Sequence, residues 1–204
     1  MKGIAYIISA PSGAGKTTLC RMAAAHFPEI RNSVSYTTRK PRPGEVNGRD
    51  YWFIDDETFD RMVAAGEFLE HAGVYGRRYG TSRKDLEALL EEGFSVILEI
   101  DVQGAASIRK TLKGGVYIFI LPPSLKACEQ RLVDRGKDSP EDIRKRLKIA
   151  EEEIKSAPSY DYLIVNDDLG RAFEDLKAVM MAQRAASMRM EGRLRELFGG
   201  ILKD

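Results

Sequence analysis

Apolar residues in this chain come in short continuous runs, and amphipathic stretches separate the runs. Such runs read as strands buried on both faces, which is what a parallel sheet covered by helices requires. IAYIIS at 4–9, SVILEID at 95–101, VYIFIL at 116–121 and YLIVN at 162–166 are of this kind. Helical spacing predicts helices over 17–26, stopped by Pro28, over 56–65, closed by Gly66, over 82–92, capped by Ser82 and stopped by Gly93, over 103–112 and over 125–135. Ser139-Pro140 caps a further helix with Glu141 and Asp142 in its first turn, and a long helix runs on from Gly170. Strands alternating with helices predict an α/β fold with a mainly parallel, doubly wound sheet and helices on both faces.

Two regions break that alternation. Asn32 to Asp50 is polar, basic and rich in Pro and Gly, with turn signals at Pro43-Gly44 and Asn47-Gly48. Strands at 51–54 and 68–74 and a Tyr79-Gly80-Thr81 turn follow, so a small β-rich insertion is expected between the first helix and the next core elements. Near the C-terminus Leu194, Leu197, Phe198 and Ile201 form an apolar stripe at i, i+3, i+4 and i+7. The stripe is expected to pack on the core, with a partner copy in a homo-oligomer as the second reading.

Composition narrows the class. A chain of 204 residues with 43% hydrophobic content supports one sizeable domain, burying roughly 70% of its unfolded surface. Lys and Arg number 32 against 31 Asp and Glu, a net charge of +1, so nothing points to a general nucleic-acid or membrane binder and functional electrostatics must be local. Cys20 and Cys128 are expected as free thiols in helices, in a reducing compartment. The N-terminal apolar run is too short to span a bilayer and lacks a cleavage site, which makes the cytoplasm the expected location. No metal-ligand spacing occurs; His71 reads as a partly exposed strand residue and His26 as a surface one.

The first strand runs straight into APSGAGKTT at 10–18, where Pro11, Gly13 and Gly15 force a tight turn before Lys16. Glycines there let successive backbone N–H groups face an anion, the helix N-terminus adds partial positive charge, and the lysine reaches terminal phosphates. Thr17 offers a hydroxyl to Mg²⁺. Ala10 stands where the strict signature has glycine. Arg39 and Arg42, three apart around Pro41, suit either a fork for a phosphate dianion or a solvated basic loop. Glu70 is either an exposed strand residue or a recognition carboxylate. Glu99 and Asp101, two apart at the end of an apolar strand, point to one side, where open α/β sheets gather ligands. Arg131, Arg135 and Arg146 flank Gly136 and predict a lid closing over phosphates, whereas Lys145 and Lys148 read as a solvated face. A triphosphate cradle, an arginine-rich lid and a second anion site together suit phosphoryl transfer between two bound nucleotides, where positioning and charge neutralisation do the chemistry.

Five segments, in order and across most of the chain, resemble guanylate kinase, a family of P-loop nucleoside monophosphate kinases. They are SAPSGAGKTT (9–18), SVSYTTRKPRPGEVNGRDYWF (33–53), YGTS (79–82), ILEIDVQG (97–104) and IVNDD (164–168). The resemblance implies a core of 1–31, 83–124 and 159–204, a GMP-binding insertion of 32–82 and a helical lid of 125–158. It implies ATP on Lys16 and on Ser12, Gly13, Ala14, Gly15, Thr17 and Thr18, with Asn166 and Asp167 near the adenine. Mg²⁺ would lie between the phosphates and Thr17, bound directly or through water. The GMP phosphate would meet Arg39, Arg42, Tyr51 and Tyr79, with Ser35, Glu70, Thr81 and Asp101 around the base and Glu99 helping through water. Lys16, Arg39, Arg131, Arg135 and Arg146 would carry the catalytic positive charge. The implied reaction moves the γ-phosphoryl group of ATP to GMP, and to dGMP, in purine nucleotide metabolism. The competing readings are a non-catalytic guanylate-kinase-like binding module, which would lose parts of the cradle present here, and a kinase for another nucleoside monophosphate, which would differ at the base pocket.

Overall fold

The computed structural model describes residues 2–74, 76–134, 136 and 139–201. Nine strands occur among them: β1 (Ala5–Ser9), β2 (Ile30–Asn32), β3 (Tyr36–Thr37), β4 (Trp52–Phe53), β5 (Phe68–Val74), β6 (Arg77–Ser82), β7 (Ser95–Glu99), β8 (Val116–Leu121) and β9 (Tyr162–Val165). The helices are α1 (Lys16–His26), α2 (Asp56–Ala64), α3 (Arg83–Glu91), α4 (Val102–Thr111), α5 (Leu125–Asp134), α6 (Pro140–Ile154), α7 (Leu169–Arg184) and α8 (Ser187–Phe198).

The central sheet has the order β2-β7-β1-β8-β9 and every pairing in it is parallel. Its middle strand shows why the runs are continuously apolar. Ile4, Tyr6 and Ile8 pack with Leu19 and Ala23 of α1 and with Leu176 and Met180 of α7, while Ala5 and Ile7 pack with Leu86 and Leu90 of α3 and Ile108 of α4. Helices on both faces leave no side of β1 for solvent, so the sheet is doubly wound as expected. The Tyr6 hydroxyl donates to the Met180 carbonyl at 3.2 Å, and burial pushes its pKa up to about 12.

A second sheet, ordered β4-β3-β6-β5, is built from residues 36–82. Here the sequence reading needs correction: Tyr79, Gly80 and Thr81 lie within β6, paired antiparallel with β5, and form no turn. Glycine signalled a bend, but at Gly80 it serves close approach, since a Cβ would sit 2.7 Å from the Phe68 ring. A β-bulge between Phe68 and Glu70 shifts the register so that Glu70 pairs with Thr81. A second correction concerns Asp101. The strand stops at Glu99, and Asp101 is the N-cap of α4, its Oδ1 accepting the Gly104 N–H at 2.7 Å.

The final helix also differs. It breaks near Ala185 into α7 and α8, and no residue of α8 is buried. Leu194, Leu197, Phe198 and Ile201 are all exposed, so the stripe does not pack on the core. On that flank the core is closed by Leu176 and Met180 of α7.

Candidate active site

The Gly-rich loop between β1 and α1 has the conformation that its sequence demands. Gly13 and Gly15 take positive φ, 86° and 93°, values at which a Cβ is strained. Space is also tight: a Cβ on Gly15 would lie 2.3 Å from Asn166 Nδ2, and one on Gly13 would lie 3.1 Å from the Cys128 carbonyl oxygen. Ala10 is buried in the core at the base of the loop. Lys16 Nζ donates to the Ile100 carbonyl at 3.0 Å, and the Thr17 hydroxyl donates to Glu99 Oε2 at 2.9 Å. Both groups of the cradle therefore reach the carboxyl end of β7.

Two clefts open on either side of these residues. One, of about 960 Å³, is lined by the Gly-rich loop and by α6 residues including Lys145, Arg146, Lys148 and Glu153. The other, of about 470 Å³, is lined by residues of the second sheet and its loops, among them Ser35, Glu45, Tyr51, Glu70 and Tyr79, and by Glu99. Lys16, Thr17 and Asp101 line both clefts.

In the smaller cleft the bulged strand turns Glu70 toward Thr81, whose buried hydroxyl donates to Glu70 Oε1 at 2.7 Å. Burial raises the Glu70 pKa, opposed by the Thr81 hydroxyl and reinforced by the charge of Asp101. The floor is tight, because a Cβ on Gly104 would meet Glu70 Oε2 at 3.0 Å. Glu70 is thus a half-buried carboxylate with one hydroxyl partner and a second oxygen over Gly104. Tyr51 and Tyr79 lie edge to face, ring centroids 5.9 Å apart, and the Arg39 guanidinium sits 5.3 Å from the Tyr51 ring centre.

On the larger cleft Arg146 Nη1 donates to the Ser12 hydroxyl at 3.3 Å, joining α6 to the loop. Glu153, seven residues along the same helix, accepts from the Ser12 backbone N–H; burial raises its pKa, with Lys16 opposing and Asp101 adding. The sequence reading missed Glu153, as well as Glu45 and Arg49 in the smaller cleft. Glu153 and Arg146 share a helical face, a signal available at i, i+7 but hidden among Glu151, Glu152 and the neighbouring lysines.

Several expected residues stand outside the two cleft walls. Asn166 is buried behind the loop, where Nδ2 donates to the Ala14 carbonyl at 2.7 Å and Oδ1 lacks a partner, and neither it nor the exposed Asp167 lines either cleft. Thr18 is exposed on α1 outside both cleft walls. Arg131 bonds the Asn166 carbonyl at 2.9 Å and approaches those of Gly13 and Ala14 at 3.4 and 3.5 Å, bracing the loop from behind. Arg135 lies outside the described residues. Arg42 is exposed and not on the cleft wall. Lys145 and Lys148 are exposed as expected, yet they border the larger cleft. Cys20 and Cys128 are free and buried, and burial raises both thiol pKa values. Among the described residues no group of three or more His, Cys, Asp or Glu side chains is placed to hold a metal, and no helix is long and apolar enough to cross a membrane.

Comparison with known proteins agrees with this geometry. The guanylate kinase family model matches residues 2–183. A guanylate kinase of Geobacter sulfurreducens is 50% identical over 197 residues, covering 97% of each chain. One of Symbiobacterium thermophilum is 48% identical over 205 residues, covering all of this chain and 97% of the other. The crystal structure of guanylate kinase from Anaplasma phagocytophilum superposes with a TM-score of 0.76 at 34% identity, covering 97% of this chain and 96% of that one. A glycine loop at the end of β1, two clefts meeting at its lysine, and near-complete coverage at up to half identity have one common explanation: the chain belongs to the guanylate kinase family.

Proposed function

We propose that this protein transfers the γ-phosphoryl group of ATP to GMP, giving ADP and GDP, and accepts dGMP as well. The observation that carries the reading is the shared wall: Lys16, Thr17 and Asp101 line both clefts, so a donor in one and an acceptor in the other meet at the lysine. ATP occupies the larger cleft with its phosphates on the backbone of the Gly-rich loop, and GMP occupies the smaller one.

In the acceptor cleft Glu70 receives the N1–H and N2–H donors of guanine, with Thr81 holding its other face. Tyr51 and Tyr79 on the cleft wall face the phosphate, Arg39 reaches it from beside the Tyr51 ring, and Ser35 and Asp101 flank the base. The acceptor is already a phosphate oxygen, so no strong base is needed. Lys16 leaves the Ile100 carbonyl to follow the transferring group, and Arg146 on α6 neutralises it from the lid side. Arg131 holds the loop in shape from behind. Thr17 and Glu99 offer the hard oxygen donors that Mg²⁺ prefers. Held there, Mg²⁺ would supply positive charge against the phosphates. A cytoplasmic location fits a protein whose two thiols are free.

The test is the initial rate of ADP release from ATP and Mg²⁺ with GMP, dGMP, AMP, UMP and dTMP offered separately. GMP and dGMP are expected to exceed the others by at least about 100-fold in kcat/KM, because a nucleotide without the donor pair leaves Glu70 with Thr81 as its hydroxyl partner and its buried charge otherwise unmatched. Equal turnover with AMP would remove the guanine assignment and keep the kinase.

A further inference from the structure

Glu45 has no role in the reaction described so far, yet its surroundings are unlike those of a surface glutamate. Its two oxygens take the two terminal nitrogens of Arg39 side by side, Nη2 to Oε1 at 2.8 Å and Nη1 to Oε2 at 2.9 Å. Oε2 also accepts the Arg42 backbone N–H at 2.7 Å, and the Glu45 N–H donates back to the Arg42 carbonyl at 3.0 Å. The Arg39 and Glu45 side chains are only 13% and 20% exposed, whereas Arg49 in the nearby pair with Asp50 is 66% exposed. Hydrogen bonding to Arg39 holds the Glu45 carboxyl below its ordinary pKa. Glu45 stands on the wall of the smaller cleft beside Tyr51 and Tyr79.

An arginine serves an incoming phosphate best when its plane is fixed beforehand, since ordering it on arrival would subtract from binding. One edge of the Arg39 guanidinium is clamped by Glu45, Nη1 also donates to the Lys40 carbonyl at 2.8 Å, and the Tyr51 and Phe53 rings lie 5.3 and 5.7 Å from its centre. The same carboxylate ties down the main chain at Arg42, whose own side chain is exposed.

We infer that Glu45 is a positioning residue for the acceptor phosphate: a single carboxylate fixes the plane of Arg39 and the backbone that carries Arg42, and so builds the two-arginine fork. This rests on the reading of the smaller cleft as the nucleoside monophosphate site. Arg42 swings onto the phosphate from a loop already in place, and Glu45 acts through the arginines without touching the reacting atoms.

The experiment compares Glu45→Ala and Glu45→Gln with wild type in two ways. Steady-state kinetics give KM for GMP and for ATP, and calorimetry gives Kd for GMP and for guanosine, which lacks the phosphate. Glu45→Ala is expected to raise KM and Kd for GMP about tenfold or more. KM for ATP and Kd for guanosine should stay within about twofold, as a fault confined to phosphate binding requires. Glu45→Gln, which keeps one acceptor oxygen, should recover part of the loss. Unchanged GMP binding in both variants overturns the inference, and so does tighter GMP binding, which would make Glu45 a stand-in anion that phosphate displaces. Equal weakening of guanosine overturns it too, by pointing to a damaged fold. Failure of wild type to phosphorylate bound GMP would instead count against the proposed reaction, leaving the binding comparison readable.

Discussion

In the proposed reaction Glu70 concentrates the specificity of the acceptor cleft in one carboxylate, and its environment gives that role a cost. Burial raises its pKa, so its contribution to stability falls as pH rises from the unfolded value through the folded one. The ionised form of the side chain therefore costs the fold stability. Glu70→Gln keeps an oxygen for the Thr81 hydroxyl and removes the charge. It should melt at or above the wild-type Tm at pH 7, while KM for GMP rises about 10- to 100-fold and KM for ATP scarcely moves. Because guanine needs the ionised acceptor, wild-type KM for GMP should climb as pH falls through the raised pKa, and Glu70→Gln should lack that part of the profile. A lower Tm in the variant, or an unchanged pH profile, would contradict this account of the residue. The sequence offered Glu70 only as an even choice between an exposed strand residue and a recognition carboxylate. What decides between them is the bulge before it and Gly104 beneath it, both products of tertiary pairing.

At the scale of elements, local chemistry was the most readable part of the chain. Ser82 and Ser139 accept the N–H groups of Asp85 and Asp142, as capping residues at those positions should. The glycine turn before Lys16 likewise follows from its own residues. Gly15 tests it: alanine there must hold φ near +93°, at about 1–2 kcal/mol, and must push against Asn166 Nδ2. Gly15→Ala should lower Tm by about 2–8 °C and weaken ATP more than GMP, measurable by calorimetry with each nucleotide alone. A Tm and ATP affinity equal to wild type would mean that the loop does not depend on this backbone conformation. Less readable were elements that need a partner for definition. Gly80 looked like a turn because its contact, the Phe68 ring, lies twelve residues earlier on another strand. The side chain of Asn166 holds the loop carbonyl of Ala14 across the sheet end, a contact its sequence neighbours do not disclose.

Over the whole molecule, the alternation of apolar runs and amphipathic stretches specified the doubly wound sheet, since only a fold with helices on both faces buries such strands. It could not specify that the C-terminal stripe would stay exposed, because helical spacing marks an apolar face without saying what it packs against. Nor could it show that two clefts share Lys16, Thr17 and Asp101, a property of how the smaller sheet sits against the larger one. That junction makes a direct prediction about where the phosphoryl group goes. The decisive measurement follows the label from ATP carrying ³²P at the γ-position, with and without GMP. Direct transfer predicts label in the β-position of GDP, equimolar with ADP, and little inorganic phosphate in either case. Label released as inorganic phosphate at the same rate whether or not GMP is present would make the protein a nucleotide hydrolase and contradict the meeting of donor and acceptor at Lys16.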